Sequence, residues 1–509
     1  MGTVESLVLA FLTFGLFTLI ALKFSVNFSQ NNIQELKIDL SVDLETKNSR
    51  STYLSQDQEN NQNPEKQPKQ KILFYIYDTP EFQFLKNCSS RFNYTLNVHG
   101  KHEDDILFLT RIYLHPSRTK NPEKAKIFII PVILGSIFRF LEYKFACTER
   151  NAGKCLLQKG VCGKNSRMHT MMENAARGVM KSEFFKKNDG KDHLIVSSDF
   201  RAQNSNWYPK EFGALVRKVS FGTFEEFWAP ILMNTQVVFN YADSGRNGVK
   251  IKRIRSRCSI VTPYVNKVEI EGFEDNSINE MKNISDRKID FLFMGQWNQK
   301  GSYAHRRRFN LIFHRGLNEL SGKTRIFANT VAFGKTTKSC EYSKFKNLIN
   351  SSDPHQTIIG KNTQLEPVAK TAPKLTNCKI PASMKTDYLE LLSNTKFALI
   401  ISGDTASTSR IYDAIERGAI PIVVSDLLPM VGLPFKYKVP WERLVYFLSV
   451  YSDEQSVVRV LEDISGRMGE LEEKQRLLKK YGKEVLWWSK GGSNVVDNLV
   501  DEAYYKCMA

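Results

Sequence analysis

"SGDTASTSRIYDAIERGAIPIVVSD", residues 402–426, decides the fold. The run ahead of it, "KFALII" (396–401), and "AIPIVV" (419–424) within it are short and continuously apolar. Runs of that kind are parallel strands buried on both faces. Between them Ile411, Ala414 and Ile415 fall on one face of a short helix, at i, i+3 and i+4, a face suited to packing on a sheet. Gly418 stands where a C-cap releases the chain into the second strand. Strand, helix, strand predicts a βαβ unit of an α/β fold. The loop "SGDTASTS" (402–409) holds only small residues, and Ser407, Thr408 or Ser409 can cap the helix. Free N–H groups, a helix dipole and a small-residue loop make a phosphate site. The loop carries no G-x-G-x-x-G, which argues against a dinucleotide.

Arg410 lies in the first turn of this helix, where a cation is disfavoured. Two readings answer that conflict. An anion at the helix end would be forked by the guanidinium, with Asp413 on the same face accepting from a ribose diol. Alternatively, Arg410 and Asp413 form a local ion pair that offsets the dipole. Spacing alone leaves both open.

Working outward, the same alternation extends upstream. "KILFYIYD" (71–78), "AKIFIIPV" (125–132), "DHLIVSSDF" (192–200) and "SRCSIVTPYV" (256–265) read as strands, and "HTMMENAARGVMK" (169–181) as a helix. The expected architecture is α/β with two Rossmann-like, doubly wound domains, at 71–270 and 285–450. A polar linker (266–288) separates them. The second domain opens with "IDFLFMG" (289–295), where Gly295 allows a tight turn, followed by the basic helix "HRRRFNLIFHRGL" (305–317). From 451 to 509 the chain turns helical, with Leu461, Ile464, Met468 and Leu471 at helical spacing, and is expected to pack across both domains.

At 509 residues the chain exceeds one ordinary core. Its beginning reads as a short cytoplasmic tail (1–6), a transmembrane signal-anchor (7–23) and a polar, disordered stem (24–70). The uncharged run Ser6–Leu22 also fits a cleaved signal peptide. All eight cysteines and five Asn-x-Ser/Thr sites, at Asn27, Asn87, Asn93, Asn283 and Asn350, follow that run. They favour a secretory lumen, with Cys147, Cys155 and Cys162 in one loop that disulfides could staple. No C-x-x-C suggests a zinc or redox motif. The formal charge of +18 is spread widely. Most of it reads as a solvated lysine surface. A lumenal location argues against nucleic acid, whereas a nucleotide phosphate or an acidic polysaccharide fits. The acidic run "HEDD" (102–105) reads as a solvated loop or helix start rather than a metal cluster.

The motifs resemble those of the exostosin-type (family 47) glycosyltransferases. That family's "GDT-x-S-S-R" loop, R-x-x-D and "G-x-x-P-V-x-x-S" are matched by Gly403, Asp404, Thr405, Ser407, Ser409, Arg410, Asp413, Gly418, Pro421 and Ser425. "HPSRTKNPEKAKIFIIPV" (115–132) resembles its "T-x-D-P-E-x-A" segment, and "DHLIVSSDF" its "G-x-D-H-F-x-V" strand. "FLFMGQW…HRRRFNL" resembles "F-F-x-G…R-x-x-L", with Arg308 as the arginine. The resemblance covers about residues 70–450 in order. It implies a GT-B enzyme that transfers a sugar from a UDP-sugar to a glycan acceptor with inversion. It implies Gly295, Arg308, Gly403, Asp404, Thr405, Ser407, Ser409, Arg410 and Asp413 as donor-site residues. It also implies metal independence, and no Asp-x-Asp is present. For the general base, Asp199 and Asp78 qualify at strand ends, or either caps a turn. The expected setting is the Golgi membrane, single-pass type II, with homo- or hetero-oligomers both open. A non-catalytic partner subunit and a secreted glycan-binding protein are the alternatives.

Overall fold

The computed structural model describes residues 71–90, 103–135, 137–138, 168–203, 207–226, 256–266, 281–295, 326–330, 358–359, 383–401, 406–449, 452–489 and 492–508. The expected tail, anchor and stem, the loop bearing Cys147, Cys155 and Cys162, the helix with Arg308, and Gly403, Asp404 and Thr405 lie outside them.

The first sheet holds β1 (Phe74–Ile76), β2 (Ile127–Ile129), β3 (His193–Val196), β4 (Ser220–Thr223) and β5 (Cys258–Val261), side by side in chain order and all parallel. Its helices are α1 (Pro80–Ser90), α2 (Asp104–Ile112), α3 (Met168–Lys181), α4 (Glu183–Asn188) and α5 (Lys210–Lys218). Successive side chains of a strand leave by opposite faces. Phe128, Ile130, Ile195 and Phe221 therefore bury with Met172 and Val179 of α3 and Phe212 and Leu215 of α5. Phe74, Ile76, Ile127, Ile129, Leu194 and Val196 bury on the other side with Ile106, Phe108, Leu109 and Ile112 of α2. Among the described residues this order shows no reversal, so the doubly wound expectation does not describe the first sheet. Crossovers advancing one way keep α3 and α5 on one face. The opposite face is covered by α2 and by a helix returning from the end of the chain.

The second sheet holds β6 (Ile289–Gly295), β7 (Ile326–Thr330), β8 (Ile358–Ile359), β9 (Thr395–Ile401), β10 (Ile420–Val424) and β11 (Tyr446–Leu448), ordered β11-β10-β9-β6-β7-β8 and parallel throughout. The chain walks outward from β6 to β8, then returns to the other side of β6. This is the doubly wound dinucleotide-fold order, and its switch point lies between β6 and β9. The later helices are α6 (Ser383–Ser393), α7 (Arg410–Arg417), α8 (Leu428–Val431), α9 (Trp441–Leu444), α10 (Glu454–Ser465), α11 (Met468–Val485) and α12 (Val495–Tyr505).

α7 ends as its sequence predicts. Gly418 is left-handed, with φ +67°, and a Cβ there would stand 2.6 Å from the Met281 side chain. Beside it Arg287 donates to the carbonyls of Lys282, Leu392, Thr395 and Arg417. Burial lowers its pKa to about 10.

Residues 71–509 form one compact unit, and its main core runs continuously through both sheets. Phe224 stacks on Tyr264 at 5.4 Å, and Tyr264 meets Tyr412 edge-on at 6.5 Å. Asn266 Nδ2 donates to Glu416 Oε2 at 2.8 Å, and Trp487 Nε1 to the Pro263 carbonyl at 2.9 Å. The helical spacing from Leu461 to Leu471 is divided at Gly466, between α10 and α11. α11 packs on α7 and β10, and α12 on α2, β2 and β5. Cys258 of β5 is disulfide-bonded to Cys507, just past α12.

Candidate active site

The carboxyl ends of β6 and β9 flank the switch point, where open sheets bind ligands. Gly295 is the last residue of β6, and β9 ends at Ile401, so the loop leading to α7 starts at the same edge. The topology thus brings Gly295, Ser407, Ser409, Arg410 and Asp413 to one end of one sheet. No side-chain bond caps α7 from its N-cap, Ser409. Thr408 Oγ1 accepts weakly from the Arg410 N–H at 3.5 Å and from its guanidinium at 3.4 Å. Asp413, buried, accepts from the Tyr388 hydroxyl at 3.3 Å. Among the described residues no ion pair joins Arg410 to Asp413. The local ion pair allowed by spacing is therefore not formed, and among the described residues most donors of this half-buried guanidinium have no partner at the helix N-terminus.

Ser407 sits elsewhere than in an open phosphate loop. Its N–H and hydroxyl both donate to Glu225 Oε1, at 2.5 and 2.6 Å. Glu225 follows β4 of the first sheet by two residues. The carboxyl edges of the two sheets therefore meet at this contact.

The base candidates fare differently. Asp199, beyond the end of β3, is buried and committed: Oδ1 accepts from Arg201 N at 2.8 Å and Nε at 2.7 Å, and Oδ2 from Nη2 at 2.5 Å. Of its two readings, the geometry supports the turn cap. Asp78 is exposed beyond the end of β1 and accepts from Gln83 Nε2 at 3.0 Å.

A second acidic group was illegible in the sequence. The run "HEDD" does lead into a helix, α2, but Glu103, Asp104 and Asp105 are buried rather than solvated. Asp104 Oδ1 accepts from Ser198 N at 2.9 Å and Ser198 Oγ at 2.5 Å, while Oδ2 has no partner among the described residues. Desolvation lifts the Asp104 carboxyl to about 6, and desolvation with the charge of Asp104 lifts Asp105 well above its ordinary value. Asp105 Oδ2 accepts from Gly135 N at 2.7 Å, past the end of β2. Three consecutive acids look solvated in sequence, and only the tertiary fold closes over them.

The sequence matches the Exostosin GT47 domain over residues 68–464, more than half of the chain. The chain belongs to the exostosin GT47 family. It is accordingly a glycosyltransferase, and the family implies a nucleotide-sugar donor and a glycan acceptor. No curated protein sequence matches it significantly. Among solved structures it is similar to MurG of Acinetobacter baumannii, at 9% identity, over 85% of this chain and 98% of that one, with a TM-score of 0.32. It is also similar to an α,α-trehalose 6-phosphate synthase of Burkholderia multivorans, at 8% identity, over 73% and 81%, with a TM-score of 0.31. Both scores are too low to carry an argument. The exostosin match spans both sheets, so the meeting of their carboxyl edges lies within the matched region.

Proposed function

We propose that this exostosin-family glycosyltransferase transfers a sugar from a UDP-sugar to a glycan acceptor, inverting the anomeric centre, in the Golgi lumen. The observation that carries the donor site is Arg410, half-buried and free of Asp413, at a helix N-terminus beside the switch point of the second sheet. A departing diphosphate develops charge, and fixed donors placed at that charge lower the barrier. A guanidinium and free helical N–H groups are such donors. Asp413, three residues on and bonded to the Tyr388 hydroxyl, is the group that would read a ribose diol.

Two parallel sheets joined at their carboxyl edges suit a GT-B arrangement, with donor on the second sheet and acceptor on the first. With Arg410 and the helix N–H groups to neutralise the diphosphate, transfer is expected to need no divalent metal. The disulfide between Cys258 and Cys507 supports an oxidising compartment. A panel of UDP-sugars tested on the purified protein for transfer and hydrolysis, with and without EDTA, examines the reading. Transfer that survives chelation is expected. Absence of UDP binding would remove the donor assignment, and an absolute need for Mn²⁺ would overturn the leaving-group chemistry.

A further inference from the structure

Ser407 spends its donors on the first sheet. Besides the two bonds to Glu225 Oε1, its hydroxyl lies 3.2 Å from the Phe224 carbonyl. Glu225 is 3% exposed and Ser407 5%, and 182 positions separate them. A buried carboxylate is costly unless hydrogen-bonded, so the pair ties two distant segments firmly. The other side is closed as well. Glu226 N donates to the Val431 carbonyl at 2.8 Å, and a Cβ on Gly432 would stand 3.1 Å from Ser407 Cβ. Ser407 is thus gripped between the end of β4 and the end of α8. Arg410 is three residues further on.

We propose that Glu225 is a positioning residue of the donor site, holding Ser407 so that residues 406–409 and Arg410 stand in the arrangement that receives the diphosphate. This rests on the donor-site reading given above. The reason is entropic. The described residues before α7, Ala406, Ser407, Thr408 and Ser409, have no large side chain to fix themselves. Ordering this segment at the moment of binding would subtract from affinity, and a segment already held at Ser407 spares that cost. The carboxylate supplies the order from the other sheet, so donor affinity depends on how the two sheets meet.

Glu225→Ala and Glu225→Gln of the full chain, each compared with wild type, test this in two measurements. Hydrogen exchange of the peptide covering 406–412 reads the grip without any nucleotide. Calorimetric titration with UDP reads the donor site. Exchange in the alanine variant should quicken about tenfold or more, and UDP should bind about 10- to 100-fold more weakly, as the loss of charge-assisted bonds implies. Donor KM should rise more than kcat falls. Glutamine keeps an acceptor oxygen and should fall between alanine and wild type in all three readings. If alanine does not fold, glutamine carries the comparison alone. Unchanged exchange overturns the grip. Faster exchange with wild-type UDP affinity, or a lower melting temperature alone, makes Glu225 structural and overturns the positioning role. Failure of wild type itself to bind UDP removes the donor-site reading instead, with exchange still reporting whether Glu225 holds the loop.

Discussion

Arg410 brings a positive charge to a helix end that is already positive, and among the described residues its guanidinium receives only Thr408 Oγ1 at 3.4 Å in return. If a diphosphate is what it holds, Arg410→Ala should cost about 2–4 kcal/mol of transition-state stabilisation, roughly 30- to 1,000-fold in rate. Arg410→Lys should restore little, because a point charge cannot reproduce the fork. The melting temperature should barely move, since the cation is unfavourable there without its anion. A marked loss of stability with intact UDP binding would make Arg410 structural. Asp199 predicts the opposite pattern. Its removal breaks the buried ion pair with Arg201, 4% exposed, so Asp199→Ala should cost about 3–5 kcal/mol of folding stability by denaturant unfolding. A stable variant with lost turnover would return Asp199 to the role of base. Arg410 and Asp413 were legible because spacing along one helix fixes them. Glu225 and Asp104 were not, since what marks each is a partner about 180 and 94 positions away.

At the scale of elements, the strands that sequence reveals are those with apolar runs, such as "KFALII" and "IDFLFMG". β4, Ser220–Thr223, was missed because only Phe221 is large and apolar; its neighbours β3 and β5 make it a strand. Gly222 has to be small there, as a Cβ would stand 3.0 Å from Val196 and Thr262 side chains. The reversal of strand order in the second sheet is likewise a tertiary fact. α7 carries a further consequence through Glu416. Desolvation raises this carboxyl to about 8, with nearby Asp413 also raising it and Arg417 lowering it. Its Oε2 accepts from Asn266 of the first sheet, and Oε1 has no partner among the described residues. The folded state therefore holds a proton that the unfolded chain releases near 4.5. Stability from this group is full below about pH 4.5 and declines as pH rises through about 8, by up to about 1.4 kcal/mol per pH unit. Glu416→Gln should flatten the fall in melting temperature between pH 6 and pH 8 while keeping the bond to Asn266. An unchanged pH profile would mean that Glu416 ionises normally in the fold.

At the scale of the molecule, one covalent bond joins the first sheet to the end of the chain. Cys258 and Cys507 are 249 residues apart in sequence and 5.6 Å apart at Cα. Around this bond Lys506 Nζ donates to the Ser259 carbonyl at 2.9 Å and pairs with Glu226, so α12 is moored to the first sheet by covalent and polar contacts together. Since α11 packs on α7 and β10, the mooring also reaches the helix that carries Arg410. Closing so long a loop restricts the unfolded chain strongly, and losing the bond should cost about 2–5 kcal/mol. Cys507→Ser should therefore lower the denaturant midpoint, and dithiothreitol should lower the wild-type midpoint at least as far. The same bond bears on the compartment. It persists where thiols are oxidised, and Asn283, in the Asn-Ile-Ser sequon, is exposed. Protein made in a secretory system should yield the Cys258–Cys507 cross-linked peptide without reduction and should gain mobility after endoglycosidase treatment. Both cysteines recovered as free thiols, on a chain whose mobility does not change, would place this transferase in a reducing compartment and end the lumenal proposal.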